Sequence, residues 1–448
     1  MSGSDALLPQ WGRLGLDLPT VESAHDEYLV TADGERIIDA CSGLVVANLG
    51  HSVPGVADVM RDQAEAVSFV APTRFTTDPA IRLAERLTDA TPPGLDTAFF
   101  VSSGSQAVES ALKLARVYHR RTGNPEKTTF VSRWQSYHGS TLGALSLSGR
   151  SLQRHQFRSL LHGWPHLPAA YPYRWDYDGP PEEQAVAAAR ELETLVRQEG
   201  PETVAGFVAE PVGGSTLPAA APHPAYFREI RRICDEYDLL FVADEVMTGF
   251  GRTGPTFAVE RYDVVPDVLV VGKGLTGGYA PVSGLAVHDR VAEHFRDEGD
   301  RFAHGFTYGS NPVGCAVGAH VVEQYTEEVL RTGRERGRLL EETLEPLHGH
   351  PIVGDLRRTG LLLGIEFVAD PETSEPFDPD LNVAERVHRA ALESGAFVYP
   401  GQGCVDGVAG DHVTVAPPLT SSEEAIRKVG RILVSAVDEV AGDLGIDG

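Results

Sequence analysis

The run Asp244-Glu245-Val246-Met247-Thr248-Gly249-Phe250-Gly251-Arg252-Thr253-Gly254, followed downstream by Val271-Gly272-Lys273-Gly274, constrains this chain more than any other stretch. Leu239 to Ala243 is a short apolar run and reads as a buried strand. Asp244 stands where that strand ends, ahead of a glycine-rich turn. A second apolar run, Val268 to Val271, ends in a lysine between two glycines. Two neighbouring buried strands of this kind can present an acid and an amine to one ligand. The same spacing also fits a plain Asp–Lys ion pair in an α/β core, and spacing alone leaves both open.

The chemistry of the pair is specific if a ligand lies between them. A buried carboxylate needs a cationic partner or strong hydrogen bonds. A lysine in apolar surroundings commonly snorkels to the surface. Gly272 and Gly274 instead clear the space beside Lys273, and burial lowers a lysine's pKa and suits it to Schiff-base formation. An aspartate on a pyridinium nitrogen and a lysine on an aldehyde carbon are what pyridoxal 5'-phosphate (PLP) asks of a protein.

Composition narrows the partners. A chain of 448 residues with 42% hydrophobic content can bury a large core in more than one domain. A formal net charge of −26 argues against nucleic acid, which demands basic patches, and favours a solubility role for the charge. Cys41, Cys234, Cys315 and Cys404 are widely spaced, with no pair at metal-ligand spacing, and read as reduced thiols. The N-terminus lacks a basic-then-apolar signal pattern, and no uncharged run is long enough to span a bilayer. A cytoplasmic protein without membrane or metal is the expectation.

Along the chain, Tyr28–Thr31 and Arg36–Asp39 flank Ala32-Asp33-Gly34-Glu35 as a hairpin. His51 reads as a structural histidine before a ligand. Beyond residue 56 helices and short apolar runs alternate. Pro79–Ala90 reads as a helix and Thr97–Val101 as a strand. Ser102-Ser103-Gly104-Ser105-Gln106 then opens a helix whose apolar face is Ala107, Ala111, Leu114, Ala115 and Tyr118. Ser103 with Gln106 fits a capping box, and a small-residue helix start can also seat an anion on Gly104 and Ser105. Thr128–Val131 is a strand followed by Trp134-Gln135-Ser136-Tyr137-His138-Gly139-Ser140, where Tyr137 can lie on a ring or simply fill a core. Val204–Ala209 is a strand ending in Glu210-Pro211. Ser103, Tyr137, Glu210, Asp244 and Lys273 thus all follow apolar runs, and ligands of open α/β sheets lie at strand carboxyl ends. Further on, Val313–Leu330 reads as one long helix, Gly360–Phe367 as a strand, Val383–Glu393 as a helix, Phe397–Tyr399 and His412–Val415 as strands, and Glu423–Val440 as a closing helix.

These elements together resemble the class III (omega) aminotransferases, PLP enzymes of fold type I, from about Asp26 to the C-terminus. The residues that carry the resemblance are Phe100 to Glu109, Ser136-Tyr137-His138-Gly139, Ala209-Glu210-Pro211, the Asp244–Gly254 block, Gly272-Lys273-Gly274, Phe306-Thr307-Tyr308 and Ala416-Pro417-Pro418-Leu419. The resemblance implies an α/β fold: a large domain with a mostly parallel sheet between helices, residues 56–330, and a smaller α+β domain, residues 331–448, against which residues 1–55 pack. It implies that Lys273 is the Schiff-base lysine and Asp244 the partner of the pyridine nitrogen. Tyr137 and Val246 are similar to the residues that sandwich the ring, and Ser103, Gly104 and Ser105 to the phosphate cup. His138 and Glu210 fall at cofactor-binding positions. Thr307 matches the threonine that reaches the phosphate of the neighbouring subunit, which implies a homodimer. The implied reaction is ping-pong transfer of an amino group between an amine or amino acid and a carbonyl acceptor.

Two positions depart from the pattern. Many members acting on alpha-carboxylates carry an arginine three residues before the first proline of Pro417-Pro418-Leu419, where this chain has Thr414. A bidentate arginine is the usual grip on a carboxylate, which leaves Arg74, Arg150 and Arg174 as substitutes. Some amine-using members have tryptophan where this chain has Val45. Both lean towards an omega-amine or bulky amino-ketone substrate. The alternatives are a decarboxylating transaminase, an aminomutase or a racemase on the same fold, or a non-catalytic PLP-binding homologue. A nucleotide enzyme is disfavoured because Ser103-Gly104-Ser105 matches neither the Walker nor the GxGxxG pattern.

Overall fold

The computed structural model describes residues 8–10, 12, 16, 18–296 and 301–446. Chain order gives β1 (Val21–His25), β2 (Tyr28–Thr31) and β3 (Arg36–Asp39), then β4 (Thr97–Val101), β5 (Thr129–Arg133), β6 (His166–Leu167), β7 (Val204–Ala209), β8 (Leu240–Asp244), β9 (Val268–Val271) and β10 (Ser283–Val287). The chain ends with β11 (Val353–Thr359), β12 (Leu362–Asp370), β13 (Glu375–Pro376), β14 (Ala396–Phe397), β15 (Tyr399–Gln402) and β16 (Asp411–Val415).

Seven strands form the central sheet in the order β4-β10-β9-β8-β7-β5-β6. Its strands are parallel except β10, which runs antiparallel to both β4 and β9. Successive residues of the middle strands enter opposite cores. Phe207, Ala209, Phe241, Ala243, Leu269 and Val271 join one apolar cluster, while Val208, Leu240, Val242, Val268 and Val270 join another. Both faces are covered, so the strands are apolar throughout instead of alternating. One cover is the Gly104–Arg121 helix, which buries Ala107, Val108, Ala111, Leu112, Leu114, Ala115 and Tyr118.

Two smaller sheets lie outside this layer. One has the order β1-β2-β3-β14, so the N-terminal hairpin pairs with a strand from near the C-terminus. The other has the order β11-β12-β16-β15, with β13 on β12. No helix among the described residues is long and apolar enough to cross a membrane.

Two expectations are corrected. The Val313–Leu330 run is two helices, Pro312–Val322 and Glu327–Thr343. Thr326 caps the second by accepting from Val329 N, and the Tyr325 hydroxyl donates to the Gly274 carbonyl at 2.7 Å. The break fastens the segment to the loop after Lys273, a tertiary contact that periodicity does not register. The Phe397–Tyr399 run is also divided: Ala396–Phe397 pairs with β3, and Tyr399–Gln402 pairs with β16.

Candidate active site

The carboxyl end of the central sheet opens on a cavity of about 200 Å³. Gly104, Ser105, Tyr137, His138, Glu210, Asp244, Val246 and Lys273 line it, with Gly139, Ser215, Met247 and Ser283. Ser103 stands just outside as the N-cap, its Oγ accepting from Gln106 N at 3.3 Å. Gln106 Oε1 accepts from Ser102 N at 2.9 Å, one residue earlier than a capping box requires. Thr307 is exposed and takes no part in the wall of this cavity.

Asp244 ends β8 and is 4% exposed. Its Oδ2 meets His138 Nδ1 at 2.7 Å, and its Oδ1 accepts from Val246 N at 3.1 Å. His138 is fixed in turn: its Nε2 meets Ser132 Oγ at 3.1 Å, and its backbone N–H donates to Ser148 Oγ at 2.8 Å. The carboxylate therefore has a set direction and a partner able to share a proton. Glu210, at the end of the neighbouring β7, accepts from Tyr137 N at 3.4 Å. Burial pushes its carboxyl above the usual range, opposed by His138.

Lys273 follows β9 and is half-buried. Burial pushes its amine pKa down, with Asp244 opposing. A lowered pKa keeps more of the amine neutral and nucleophilic. Its φ is +44°, a left-handed conformation that a lysine adopts only when the surroundings impose it. Ser42, Val45, Gln135, Ala219 and Phe250 also have positive φ. Val45 and Ala219 share an apolar cluster with Met247 of the cavity wall. Strain of this kind gathers at functional sites.

Glycines keep the floor open. A Cβ on Gly104 would lie 3.1 Å from Val246 Cγ1, and one on Gly272 would lie 2.6 Å from Ser283 Oγ. Gly139 has φ +131°, and a Cβ there would meet Ser105 Oγ at 2.4 Å. Gly139 thereby lets the Tyr137 loop close on the helix start, where Ser140 N donates to Ser105 Oγ at 3.0 Å. The first N–H groups of an 18-residue helix lack intrahelical acceptors and favour an anion. An anion seat at Gly104–Ser105, an oriented buried carboxylate and a desolvated amine on one cavity are what a flat ring with a phosphate, a ring nitrogen and a carbonyl carbon requires. The residues present fit PLP.

Of the substitute arginines, Arg174 is committed elsewhere: its Nε donates to Glu366 Oε1 at 2.8 Å and its Nη1 to Ser374 O at 2.9 Å. Arg74 is exposed on the loop after the Val56–Ala66 helix. Arg150 precedes the Ser151–Phe157 helix, and its charge is felt by His412, whose Nε2 meets the Ser215 carbonyl at 3.4 Å. Thr414 is 1% exposed on β16, and its Oγ1 has no hydrogen-bond partner among the described residues. His51 is structural, with Nε2 2.9 Å from the fully buried Asp39. Sequence reasoning did not single out Ser132, Ser148, Ser215 or Ser283. Small hydroxyl residues are common, and only their three-dimensional neighbours distinguish these four.

The chain is similar in sequence and fold to known transaminases. The family model for class III aminotransferases matches residues 17–437. An uncharacterized aminotransferase of Bacillus subtilis, YodT, is 37% identical over 431 residues, 96% of this chain and 97% of that protein. Gamma aminobutyrate transaminase 3 of Solanum lycopersicum is 33% identical over 461 residues, 98% of this chain and 85% of that protein. The crystal structure of the omega transaminase from Pseudomonas jessenii in complex with PMP superposes with a TM-score of 0.92 at 30% identity, covering 99% of this chain and 98% of that one. The chain belongs to the class III aminotransferases, PLP-dependent transaminases of fold type I.

Proposed function

We propose that this transaminase is of omega type, taking its amino group from an amine remote from any alpha-carboxylate and passing it to an oxo acid, aldehyde or ketone. One observation carries the site assignment: Asp244, Lys273 and the start of the Gly104–Arg121 helix converge on a single cavity. Bound PLP supplies an electron sink for negative charge developing at the substrate Cα. Asp244, oriented by His138 and Val246 N, holds the negative charge that keeps a ring nitrogen protonated. Gly104 and Ser105 would hold the phosphate, and Tyr137 and Val246 would flank the ring. Lys273 anchors the cofactor and then moves the proton at the substrate Cα. Holding it in place replaces a base that would otherwise diffuse in. His138 and Glu210 set the charge of the site.

The omega reading rests on Thr414 and Val45, and on the commitment of Arg174 to Glu366. Arg150 is the candidate to grip an acceptor's carboxylate. Thr307 belongs to a neighbouring subunit's phosphate site in a homodimer. Exposed apolar side chains support that assembly, with Phe69, Phe75 and Tyr308 47%, 66% and 64% exposed. Four buried free cysteines suit the reducing cytoplasm. The same reading assigns residues 56–330 to the large domain, 331–448 to the small one and 1–55 to a segment packed on it.

The test is a donor panel. Each amine or amino acid is added to the holoenzyme, and the visible absorption is followed before and after an oxo acid. Omega-amines should convert the spectrum at rates at least tenfold above those of alpha-amino acids, and the oxo acid should restore it. Equal or faster conversion by alpha-amino acids would overturn the omega reading. Carbon dioxide release, or turnover without an acceptor, would favour the decarboxylating or racemising alternatives.

A further inference from the structure

A second cavity, of about 590 Å³, lies apart from the cofactor site and shares none of its lining. Its character runs against the rest of the chain, which carries 64 acidic and 38 basic residues. Arg154, Arg158 and three histidines line it together with Trp134 and Trp164, and no carboxylate does among the described residues. Its volume falls within the range of small-molecule sites.

The walls are flat and paired. The Trp134 and His166 rings lie 4.8 Å apart at 30°, and the His162 and Trp164 rings stack at 4.6 Å and 16°. The Arg154 guanidinium stands 5.4 Å from the Trp134 ring centroid. Its Nη1 donates to the carbonyls of Leu145, Ser146 and Ser148 at 3.2, 2.7 and 3.0 Å. Those contacts fix the guanidinium without neutralising it, and neither Nε nor Nη2 has a hydrogen-bond partner among the described residues. Arg158 has no acidic partner among the described residues. Two guanidinium groups without an acidic partner among the described residues, on a cavity walled by aromatic rings, form a recognition surface for a ring that carries a negative charge.

We infer that the cavity between Trp134 and Trp164 binds a flat aromatic anion, a carboxylate or phosphate on a conjugated ring, at a site separate from the catalytic one. The ring lies against the tryptophan and histidine faces, and the anion is held by Arg154 and Arg158. Trp134 precedes Tyr137 by three residues, and β6, which contains His166, pairs with Ser132 and Arg133 of β5.

The probe is 1-naphthoate, titrated into the full-length holoenzyme by calorimetry, with 1-naphthalenemethanol and acetate as controls. Trp134 and Trp164 are two of the four tryptophans, so intrinsic fluorescence gives a second readout. The expected result is saturable 1-naphthoate binding with fluorescence quenching, and at least tenfold weaker binding of both controls. The exposed Arg158 gives a variant that leaves the fold undisturbed, and Arg158→Gln should weaken 1-naphthoate at least fivefold with the visible cofactor spectrum unchanged. Trp164→Leu should weaken it similarly. Binding at the same affinity in Arg158→Gln, equal affinity for the neutral alcohol, or no binding up to millimolar concentration would each overturn the inference. Because 1-naphthoate could also enter the catalytic cavity, 1-naphthyl phosphate is titrated in parallel. Loss of either ligand's binding on saturation with amino donor would place it at the catalytic site and sink the second one.

Discussion

Replacing Arg252 should loosen the packing of three distant parts of the chain at once. Arg252 is fully buried and has no carboxylate partner in hydrogen-bond contact among the described residues. Its Nη1 donates to Leu361 O at 2.9 Å and Pro417 O at 2.7 Å, and its Nη2 to Asn48 Oδ1 at 2.9 Å and Ser42 Oγ at 3.3 Å. Those acceptors belong to the N-terminal segment and to two C-terminal turns, all buried with it. Arg252→Met leaves them without a donor. The three shorter contacts, at roughly 1.5–2.5 kcal/mol each, sum to about 4.5–7.5 kcal/mol. The substitution also removes a penalty, since burial pushes the guanidinium pKa down to about 10. The drop from the ordinary arginine value is worth about 3 kcal/mol. The net expectation is a loss of about 1.5–4.5 kcal/mol. Arg252→Lys, which has one nitrogen for four acceptors, should fall between the two. Urea unfolding followed by circular dichroism, on protein stripped of cofactor, gives the difference from the shift of midpoint at constant slope. An Arg252→Met protein within about 0.5 kcal/mol of native would refute the reasoning and show that the acceptors find water or new partners.

Other expectations are narrower. Gly139→Ala must place a Cβ 2.4 Å from Ser105 Oγ at a φ of +131°. A strain of about 1–3 kcal/mol should weaken PLP binding roughly 10- to 100-fold in a cofactor titration, and unchanged affinity would contradict the close approach. Asp244→Asn should lower kcat/KM about 100-fold or more, equivalent to about 3 kcal/mol of charge-assisted stabilisation, while the protein still folds. Steady-state rates with a saturating donor decide it. Acid should destabilise the fold through two histidines held neutral by burial, His166 with a pKa of about 4 and His412 with one of about 3. As pH falls below about 6.5 the unfolded chain takes up these protons first, so stability declines until the folded pKa is reached. Each contributes a slope of at most about 1.4 kcal/mol per pH unit. His166→Gln should flatten urea midpoints between pH 6.5 and 4, and an unaltered slope would exclude that residue. Val45→Trp should cut turnover of bulky amines at least tenfold while sparing small ones.

Much of the site was legible because chemistry and strand ends coincide. Tyr137, Glu210, Asp244 and Lys273 follow apolar strands, and a parallel sheet delivers all such ends to one edge. The structure places these four on one cavity. What the sequence hid is mostly tertiary. The reversed direction of β10 leaves no mark in Ser283–Val287. The β11 strand, Val353–Thr359, is polar because Arg357 and Arg358 point to partners, Glu366 and Asp355 for the first and Glu341 for the second. Helical periodicity ran straight through Glu323–Thr326 because the break is made by Tyr325 reaching Gly274. Arg252 sat inside the most informative motif, yet its role as a clamp depends on carbonyls more than 100 residues away.

The central claim is that Lys273 is the residue that anchors PLP. The direct measurement is borohydride treatment of the holoenzyme, proteolysis and mass spectrometry of the peptides. The account predicts a stable phosphopyridoxyl mass on the peptide containing Lys273, and none on that peptide when a saturating amino donor precedes the borohydride. The label on another lysine, or none on any lysine of an enzyme that shows visible cofactor absorption, would contradict it.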